Sequence, residues 1–282
     1  MEFAKIKSHA KINLSLNIIK KIKKNLHTIE SLVSFIDLHD LIHLREIKSN
    51  KHKVFFTGKF SKGIRTNNTV NKLLEILDKK SFLKGKKFEI KITKNIPQKS
   101  GMGGGSMNAA SLINFFLKKK IFKLNSSELY KICFLIGSDV ILGVKKKNSV
   151  LLANRRVKRF EKKIKYFVLV VKPNFGCSTR LIYSKVNEFY KPIYKNPKRS
   201  LFSEKSLLYS ENRLEKIAFE IYPILKKIKL YLMKLSNVKF VRMSGSGSSI
   251  VAYFNSIRSR DMASKKFKKK FGNYWCIKSK TI

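Results

Sequence analysis

The sequence predicts an α+β protein of two domains, on three observations. The chain has 282 residues, room for one large or two ordinary cores. Runs with alternating apolar residues and runs with apolar residues at helical spacing follow one another along its length. Residues 145–165, KKKNSVLLANRRVKRFEKKIK, are charged around a short apolar strand and read as a boundary. The expected domains are therefore residues 1–160 and 161–282.

The elements follow in order. Residues 3–19 read as a strand pair around AKINLSLNII. In residues 27–47 the apolar Leu32, Phe35, Leu38, Leu41 and Leu44 predict strands. TVNKLLEILDKK, residues 69–80, is a short amphipathic helix. KFEIKITKNIP alternates Phe88, Ile90 and Ile92 as a half-buried strand does. It runs into IPQKSGMGGGSMNAAS, Ile96 to Ser111, which holds four of the thirteen glycines. Beyond it Ala109, Ala110, Leu112, Ile113, Phe116 and Leu117 recur at helical spacing, and Lys118, Lys119 and Lys120 suit the negative end of the helix dipole. A second helix is expected from an N-cap at Ser126 or Ser127, through Glu128, to a stop at Gly137. YFVLVVKP, Tyr166 to Pro173, is a buried strand that opens the second half. A helix starts in residues 178–188, and one or two helices, interrupted at Pro223, fill residues 211–235. Val241 to Phe254 reads as a glycine turn leading into a strand. Arg258 to Gly272 reads as a basic helix docked through Met262 and Phe267.

Composition bounds the function. Hydrophobic residues make up 43 % of the chain, so it is globular rather than disordered. There is no apolar run of about 18 residues to span a membrane, and the N-terminus lacks the apolar core of a signal peptide. Three cysteines, Cys133, Cys177 and Cys276, stand at no metal-ligand spacing, so no metal site is expected and a reducing cytoplasm is the simplest compartment. The formal charge of +46 would ordinarily point to nucleic acid. The lysines, however, are spread from end to end, and the bias towards Lys, Ile, Asn and Phe fits an AT-rich genome equally well. No specific nucleic-acid partner is expected, only nonspecific attraction to polyanions.

The glycine run is costly unless the backbone needs unusual dihedrals or close approach. Strand, glycine loop and helix in this order aim free N–H groups and a positive dipole end at one place, as phosphate binding requires. The run is neither G-x-x-x-x-G-K-[ST] nor G-x-G-x-x-G. On glycine content alone it is either a phosphate cradle or a flexible turn with an N-cap at Ser106 or Asn108. Three further patches bear on that choice. HAKINLSLNI places one lysine, Lys11, in an apolar stretch. IGSDV places Asp139 just after a helix stop, in a chain poor in acids. MSGSGSS, Met243 to Ser249, is a second small-residue turn. A lysine, an aspartate and two glycine turns are the parts that phosphoryl transfer needs, since its catalysis is positioning and charge stabilisation.

AKINLSL, IPQKSGMGGGSMNAAS and MSGSGSS, in this order, resemble the three motifs of the GHMP small-molecule kinases. The run His27 to Leu32, the IGSDV turn and KPNFGCSTRLIY narrow the resemblance to the branch that phosphorylates the C2 hydroxyl of a cytidine-diphosphate derivative of methylerythritol, on the non-mevalonate route to isoprenoids. The resemblance covers nearly the whole chain. It implies a ribosomal-protein-S5-like N-terminal domain that binds ATP and a ferredoxin-like C-terminal domain that closes over the substrate, with ATP and substrate meeting between them.

For individual residues it implies that Asp139 is the catalytic base and Lys11 its charged neighbour. ATP binding falls to Asn68, Lys94, Pro97, Gly101, Met102, Gly103, Gly104, Gly105 and Ser106, with Ser106 at the phosphate or Mg²⁺. Substrate binding falls to Asn13, His27, Thr179, Tyr183, Gly245 and Ser246, with His27 reading the cytosine edge and Tyr183 stacking on the base. ATP and Mg²⁺ are the implied cofactors, and a monomer or weak dimer the implied state. A kinase of another small alcohol, such as homoserine or mevalonate, and a basic nucleic-acid-binding protein on a degenerate kinase scaffold are the alternatives. Lys24-Asn25-Leu26-His27 stands where the family usually has D-G-Y-H, Met107 where it has a second serine, and Asn154-Arg155-Arg156 where it has a glycine-bearing turn. None of these departures touches Lys11 or Asp139, so an active enzyme is expected.

Overall fold

The alternation in residues 27–47 builds one strand, β3 (Leu26–Ile47), 22 residues long. A computed structural model of the chain describes residues 2–23, 26–161 and 164–282, the side chains of Lys23 and Leu26 aside. Of the departures named above, Lys24, Asn25 and the Leu26 side chain thus lie outside the described residues. The chain forms two compact units. The first is residues 1–10, 38–98 and 103–146; the second is residues 11–37, 99–102 and 147–282. Both β3 and the preceding β1 (Ala4–Asn13) contribute to each unit.

In the first unit the second half of β3 pairs antiparallel with β5 (Lys87–Thr93), from Leu41 opposite Thr93 to Ile47 opposite Lys87. The short β4 (Lys53–Thr57) lies parallel on the far edge of β5. Four helices complete the unit: α1 (Thr69–Lys79), α2 (Gly104–Lys118), α3 (Ser126–Ile136) and α4 (Val140–Gly143). α1 buries Val70, Leu73, Leu74 and Leu77, the stripe that 3.6-residue periodicity requires. α3 begins one residue before the expected caps. Asn125 is the N-cap, because its side chain accepts from Glu128 N while the Glu128 carboxylate accepts from Asn125 N, a reciprocal capping box that neither Ser126 nor Ser127 makes. Gly137 ends the helix as expected.

In the second unit β2 (Asn17–Lys23) pairs antiparallel with the first half of β3, placing Lys21 opposite His27 and Asn17 opposite Glu30. The other edge of β3 takes β6 (Asn148–Leu151), which turns into β7 (Val157–Phe160). Arg155 adopts φ 65° in that turn, where a glycine would be at ease, and Asn154 Oδ1 accepts from Arg156 N at 3.0 Å to hold it. A separate four-stranded antiparallel sheet runs β11 (Trp275–Lys280), β8 (Phe167–Lys172), β10 (Ile250–Phe254), β9 (Phe240–Met243). α5 (Thr179–Ser184), the short α6 (Glu204–Leu208), α7 (Leu214–Ile221), α8 (Pro223–Met233) and α9 (Ile257–Lys270) accompany it. Leu169, Val171, Leu214, Ile228, Phe254 and Phe267 form its core. Pro223 breaks the helical run as expected and serves as the first residue of α8, where its missing N–H costs nothing. Met262 departs from expectation. It is exposed, and α9 docks through Ala263 and Phe267 instead. Thr281 bridges to Ile36, and Ile282 N donates to Phe35 O at 3.1 Å.

Candidate active site

In the first unit the chemistry gathers at the start of α2. Gly103 is the N-cap and holds the left-handed conformation, φ 66°, so the caps expected at Ser106 or Asn108 are displaced towards the glycines. The first bond of the helical ladder is Met107 N to Gly103 O, at 2.8 Å. The N–H groups of Gly104, Gly105 and Ser106 therefore precede the ladder, no side chain caps this end, and the first turn carries no acid. This is a helix end that suits a phosphate. Ser106 is half-buried. The turn that leads to Asp139 lies against it, since a Cβ on Gly137 would sit 3.7 Å from Ser106 Oγ. Asp139 is half-buried at the start of α4 and does not cap it. Met107 is buried and faces α4, where a Cβ on Gly143 would lie 2.9 Å from its sulfur. The family's second serine is thus replaced on the packed face of α2.

Lys94 and Asp40 support this helix end. The Lys94 side chain, 4 % exposed, pairs with the wholly buried Asp40 carboxylate. Asp40 Oδ1 also accepts from the N–H groups of Asn95 and Ile96, each at 2.8 Å, on the segment that enters the glycine loop through the buried Pro97. A Cβ on Gly104 would lie 3.3 Å from Lys94 Nζ. Asn68 is the N-cap of α1, its Oδ1 accepting from Val70 N and Asn71 N. Next to it Thr69 Oγ1 donates to Gly105 O at 2.7 Å, so α1 is tied to the glycines. Asp40 carried no local signal in the sequence beyond being one of only 17 acids.

The second unit joins the other end of the glycine loop to MSGSGSS. Gly101 has φ 74°, and a Cβ there would lie 1.8 Å from Ser244 O. Ser244 Oγ donates to Gly101 O at 3.0 Å and accepts from Asn13 N at 3.3 Å, while Ser249 N donates to Ser100 O at 3.2 Å. Lys11, 4 % exposed, donates from its backbone to Met102 O at 3.2 Å and from Nζ to Asn13 Oδ1 at 2.7 Å. Asn13 Nδ2 in turn donates to Ser31 Oγ at 2.7 Å. Thr179 and Ser246 share a hydroxyl–hydroxyl hydrogen bond of 2.8 Å. Asn212, a residue that sequence patterns passed over, fixes the turn by donating to Met243 O and Gly245 O at 2.8 and 2.7 Å. Lys11, Asn13, Met102 and, through Ser244, Gly101 thus share one hydrogen-bond network, with Asn212 holding Gly245 and Thr179 paired to Ser246 on the same turn.

A second cluster of this unit surrounds His27. The residue is 8 % exposed, and neither ring nitrogen has a hydrogen-bond partner among the described residues. The Tyr183 ring lies 5.2 Å from it, centroid to centroid. Phe189, which the sequence did not single out, lies 6.1 Å away and is tilted by only 16°. Burial, and then the charge of Lys21, lower the His27 pKa from its ordinary 6.5, so the imidazole is neutral at pH 7 and offers one donor and one acceptor. Lys172, at the head of KPNFGCSTRLIY, is spent on structure: Nζ donates to the carbonyls of Pro173 and Phe175 at 3.0 and 2.6 Å, and burial lowers its pKa. Cys177 is buried, and its thiol is pushed up to about 12, which makes it inert.

The first unit thus offers an uncapped glycine-rich helix end and a half-buried aspartate, and the second a buried lysine–asparagine network, each a kind of part that phosphoryl transfer in the small-molecule kinase class uses. Residues 68–147 match the GHMP kinases N terminal domain. A Pelagibacter ubique 4-diphosphocytidyl-2-C-methyl-D-erythritol kinase is 57 % identical over 100 % of both chains. The kinase of the same name from Petrotoga mobilis is 30 % identical over 89 % of this chain and 99 % of its own. A crystal structure of 4-(cytidine 5′-diphospho)-2C-methyl-D-erythritol kinase superposes with a TM-score of 0.77, covering 99 % of this chain and 100 % of its own at 20 % identity. The chain belongs to the 4-diphosphocytidyl-2-C-methyl-D-erythritol kinases, within the GHMP kinases. The expected α+β class is borne out, with two sheets among the described residues and a match to a solved kinase of this family. No helix among the described residues is long and apolar enough to cross a membrane.

Proposed function

We propose that the protein transfers the γ-phosphoryl group of ATP to the C2 hydroxyl of 4-diphosphocytidyl-2-C-methyl-D-erythritol, giving ADP and the 2-phosphate. The full-length identity of 57 % to a kinase of that name carries the substrate assignment. The new bond joins the C2 oxygen to the γ-phosphorus. The bond from that phosphorus to the β–γ bridging oxygen breaks, and the hydroxyl proton passes to Asp139.

The groups present fit a nucleotide. The N–H groups of Gly104, Gly105 and Ser106 precede the α2 ladder, with no capping side chain to compete for an incoming phosphate oxygen. Gly101, Met102 and Gly103 complete the loop on its approach side. Lys94 and Pro97 act from beneath it, and Asn68 by holding α1. Ser106 Oγ would be the candidate protein ligand of Mg²⁺, which when bound would supply charge neutralisation on the transferring group.

Lys11 provides the fixed positive charge that favours the alkoxide, held in place by Asn13. Asn13, Thr179, Gly245 and Ser246 line the substrate's phosphate side, and His27 with Tyr183 takes the cytosine. In this reading residues 1–160 carry the nucleotide loop and residues 161–282 complete the substrate side. The reaction belongs to the cytoplasm, a monomer or weak dimer performs it, and the charge of +46 serves no specific nucleic acid.

The test is ADP release with Mg²⁺-ATP and the cytidyl substrate, beside mevalonate, homoserine and no acceptor. Asp139→Asn is expected to lower kcat by about 10²–10⁴-fold without changing the melting temperature. Wild-type turnover in that variant would remove Asp139 as the base. ADP release with a different alcohol alone would remove the substrate.

A further inference from the structure

The second unit holds a cavity of about 640 Å³, lined by none of the residues assigned above to nucleotide or substrate. It runs along residues 238–242, the approach to β9 and most of that strand, at one end of the four-stranded sheet. Residues of α7 and α8 and of the segments 185–190 and 208–213 supply its other walls. A cavity of that size suits a small organic molecule rather than a single ion.

Arg242 lines it and is only 5 % exposed. Its Nη2 donates to Leu207 O at 3.0 Å, but its Nε has no hydrogen-bond partner among the described residues. Burial lowers the pKa of Arg242, against the attraction of Glu215 and, more weakly, Glu211. Both of those carboxylates are committed to other groups. Glu215 pairs with Lys229 and accepts from Met243 N at 2.7 Å, and Glu211 pairs with Arg213 at 2.6 Å. A guanidinium stays charged at any working pH, so it cannot relieve its burial by losing a proton. A buried cation with an open N–H, beside carboxylates held by others, suits an incoming anion.

The rest of the wall sets the class of that anion. Four of the 17 acids of the chain line the cavity: Glu188, Glu211, Glu215 and Glu220. Glu188 pairs with Lys216 at 2.8 Å, so three of the four hold a basic residue of the same wall. In a chain of charge +46 this wall is unusually rich in acids, and a polyanion would meet their carboxylates. The cavity therefore suits one anionic group, placed at Arg242, whose planar fork matches the oxygens of a carboxylate or a phosphoryl group. The carboxylates offer acceptors to hydroxyl groups on the remainder of the molecule.

The same wall also holds the turn from Met243 to Ser249. Asn212 donates to Met243 O and Gly245 O, and Glu215 accepts from Met243 N. An anion on Arg242 brings negative charge towards Glu215, and the repulsion loosens that carboxylate's hold on the turn. We propose that the cavity is an effector site for a small hydroxylated molecule carrying a single carboxylate or phosphoryl group, bound through Arg242 and weakening substrate binding through Glu215. The binding stands on the cavity alone, whereas the effect on catalysis rests on the substrate role proposed for Gly245 and Ser246.

Glycerate and glycerol 3-phosphate share a hydroxylated body and differ in the anion, while glycerol carries none. Each is titrated into the full-length protein with Mg²⁺-ADP in excess, so that the glycine loop is already occupied. Nitrogen–proton correlation spectra follow the Arg242 Nε–H, identified as the resonance missing from Arg242→Met. That resonance is expected to move with glycerate, glycerol 3-phosphate or both, and to stay in place with glycerol; the arm that moves it names the anion. Calorimetry should show binding weakened at least about tenfold in Arg242→Met. The melting temperature of that variant should hold or rise, because a buried unpaired charge is removed. Met233→Trp, which narrows the cavity from an exposed position and leaves Arg242 in place, should weaken binding too. At saturating probe, KM for the acceptor should rise about fivefold in wild type and stay unchanged in Arg242→Met. A resonance that moves with neither anion would overturn the proposal, and so would wild-type affinity in both variants. A lower melting temperature in Arg242→Met, with wild-type binding in Met233→Trp, would make the arginine structural and overturn it as well. Binding that leaves the wild-type KM unchanged would remove the effector role. Failure of the substrate reading itself is seen separately, as turnover of a different alcohol.

Discussion

Lys94 and His27 are both buried, polar and next to a motif, yet they differ in what surrounds them. Lys94 has a carboxylate partner, and that carboxylate also holds two backbone N–H groups. His27 has two ring nitrogens and no partner for either among the described residues. A buried polar group with its hydrogen bonds complete is part of the scaffold. One without them costs free energy in the empty protein, on the order of 1–3 kcal/mol, and recovers it when a ligand arrives. The contrast separates a residue that supports the glycine loop from one poised to take a partner.

Removing one partner of the satisfied pair should have the largest effect. Asp40→Ala leaves the Lys94 ammonium buried without its carboxylate and frees Asn95 N and Ile96 N. It is expected to cost about 3–5 kcal/mol of stability, read by denaturant unfolding, and to raise KM for ATP because the entry to the glycine loop loosens. A loss below about 1 kcal/mol would put the pair among the weak ion pairs of a surface and break the contrast.

The unsatisfied residue should behave in the opposite way. His27→Phe keeps the ring volume and removes two unpaired nitrogens. It is expected to leave stability unchanged or raised, while KM for the cytidyl substrate rises about tenfold, as loss of one to two good base-edge hydrogen bonds implies. Parallel melting and kinetic measurements on this variant and on Asp40→Ala would expose any failure of the contrast.

The smallest effect is that of pH. The folded-state pKa of His27 lies below its unfolded value of 6.5, so the unfolded chain takes up this proton first as the solution is acidified. The contribution of His27 to stability is therefore intact above pH 6.5 and is lost as pH falls below it, until the lowered folded pKa is passed. KM for the cytidyl substrate should rise only as pH falls through the lowered folded pKa, since the imidazolium formed there has no acceptor. Melting curves from pH 7 down to 5 should show a steeper fall for wild type than for His27→Phe; parallel curves would mean that His27 does not titrate in this way.

Much of this arrangement was legible in the residues. Strand β5, the glycine loop and α2 follow from alternation, glycine content and helical spacing, because each is a local signal. Lys11 and Asp139 stood out as charges of unusual type in unusual places. The N-cap of α2 was misplaced because Ser106 and Asn108 are good caps in general, whereas the chain reverses direction at a left-handed Gly103. Asp40, Asn212 and Phe189 were invisible for a different reason. Each acts through partners distant in sequence, Asp40 on Lys94 and Phe189 on His27, and no periodicity within a window encodes such a pairing. Met262 and Phe267 were equal in pattern, and only packing against the sheet decided between them.

The bridge between Ile36 and Thr281 and the bond from Ile282 N to Phe35 O set an order on the life of each molecule. Thr281 and Ile282 follow Phe35 and Ile36 far along the chain, so the strand that carries His27 is synthesised well before these partners. At elongation rates of about 5–20 residues per second, roughly 12–50 s separate the two events. For that interval an apolar stretch of β3, with Leu32, Phe35 and Ile36, waits without its C-terminal cover. Synthesis rather than folding thus sets the earliest moment at which this strand can gain those partners.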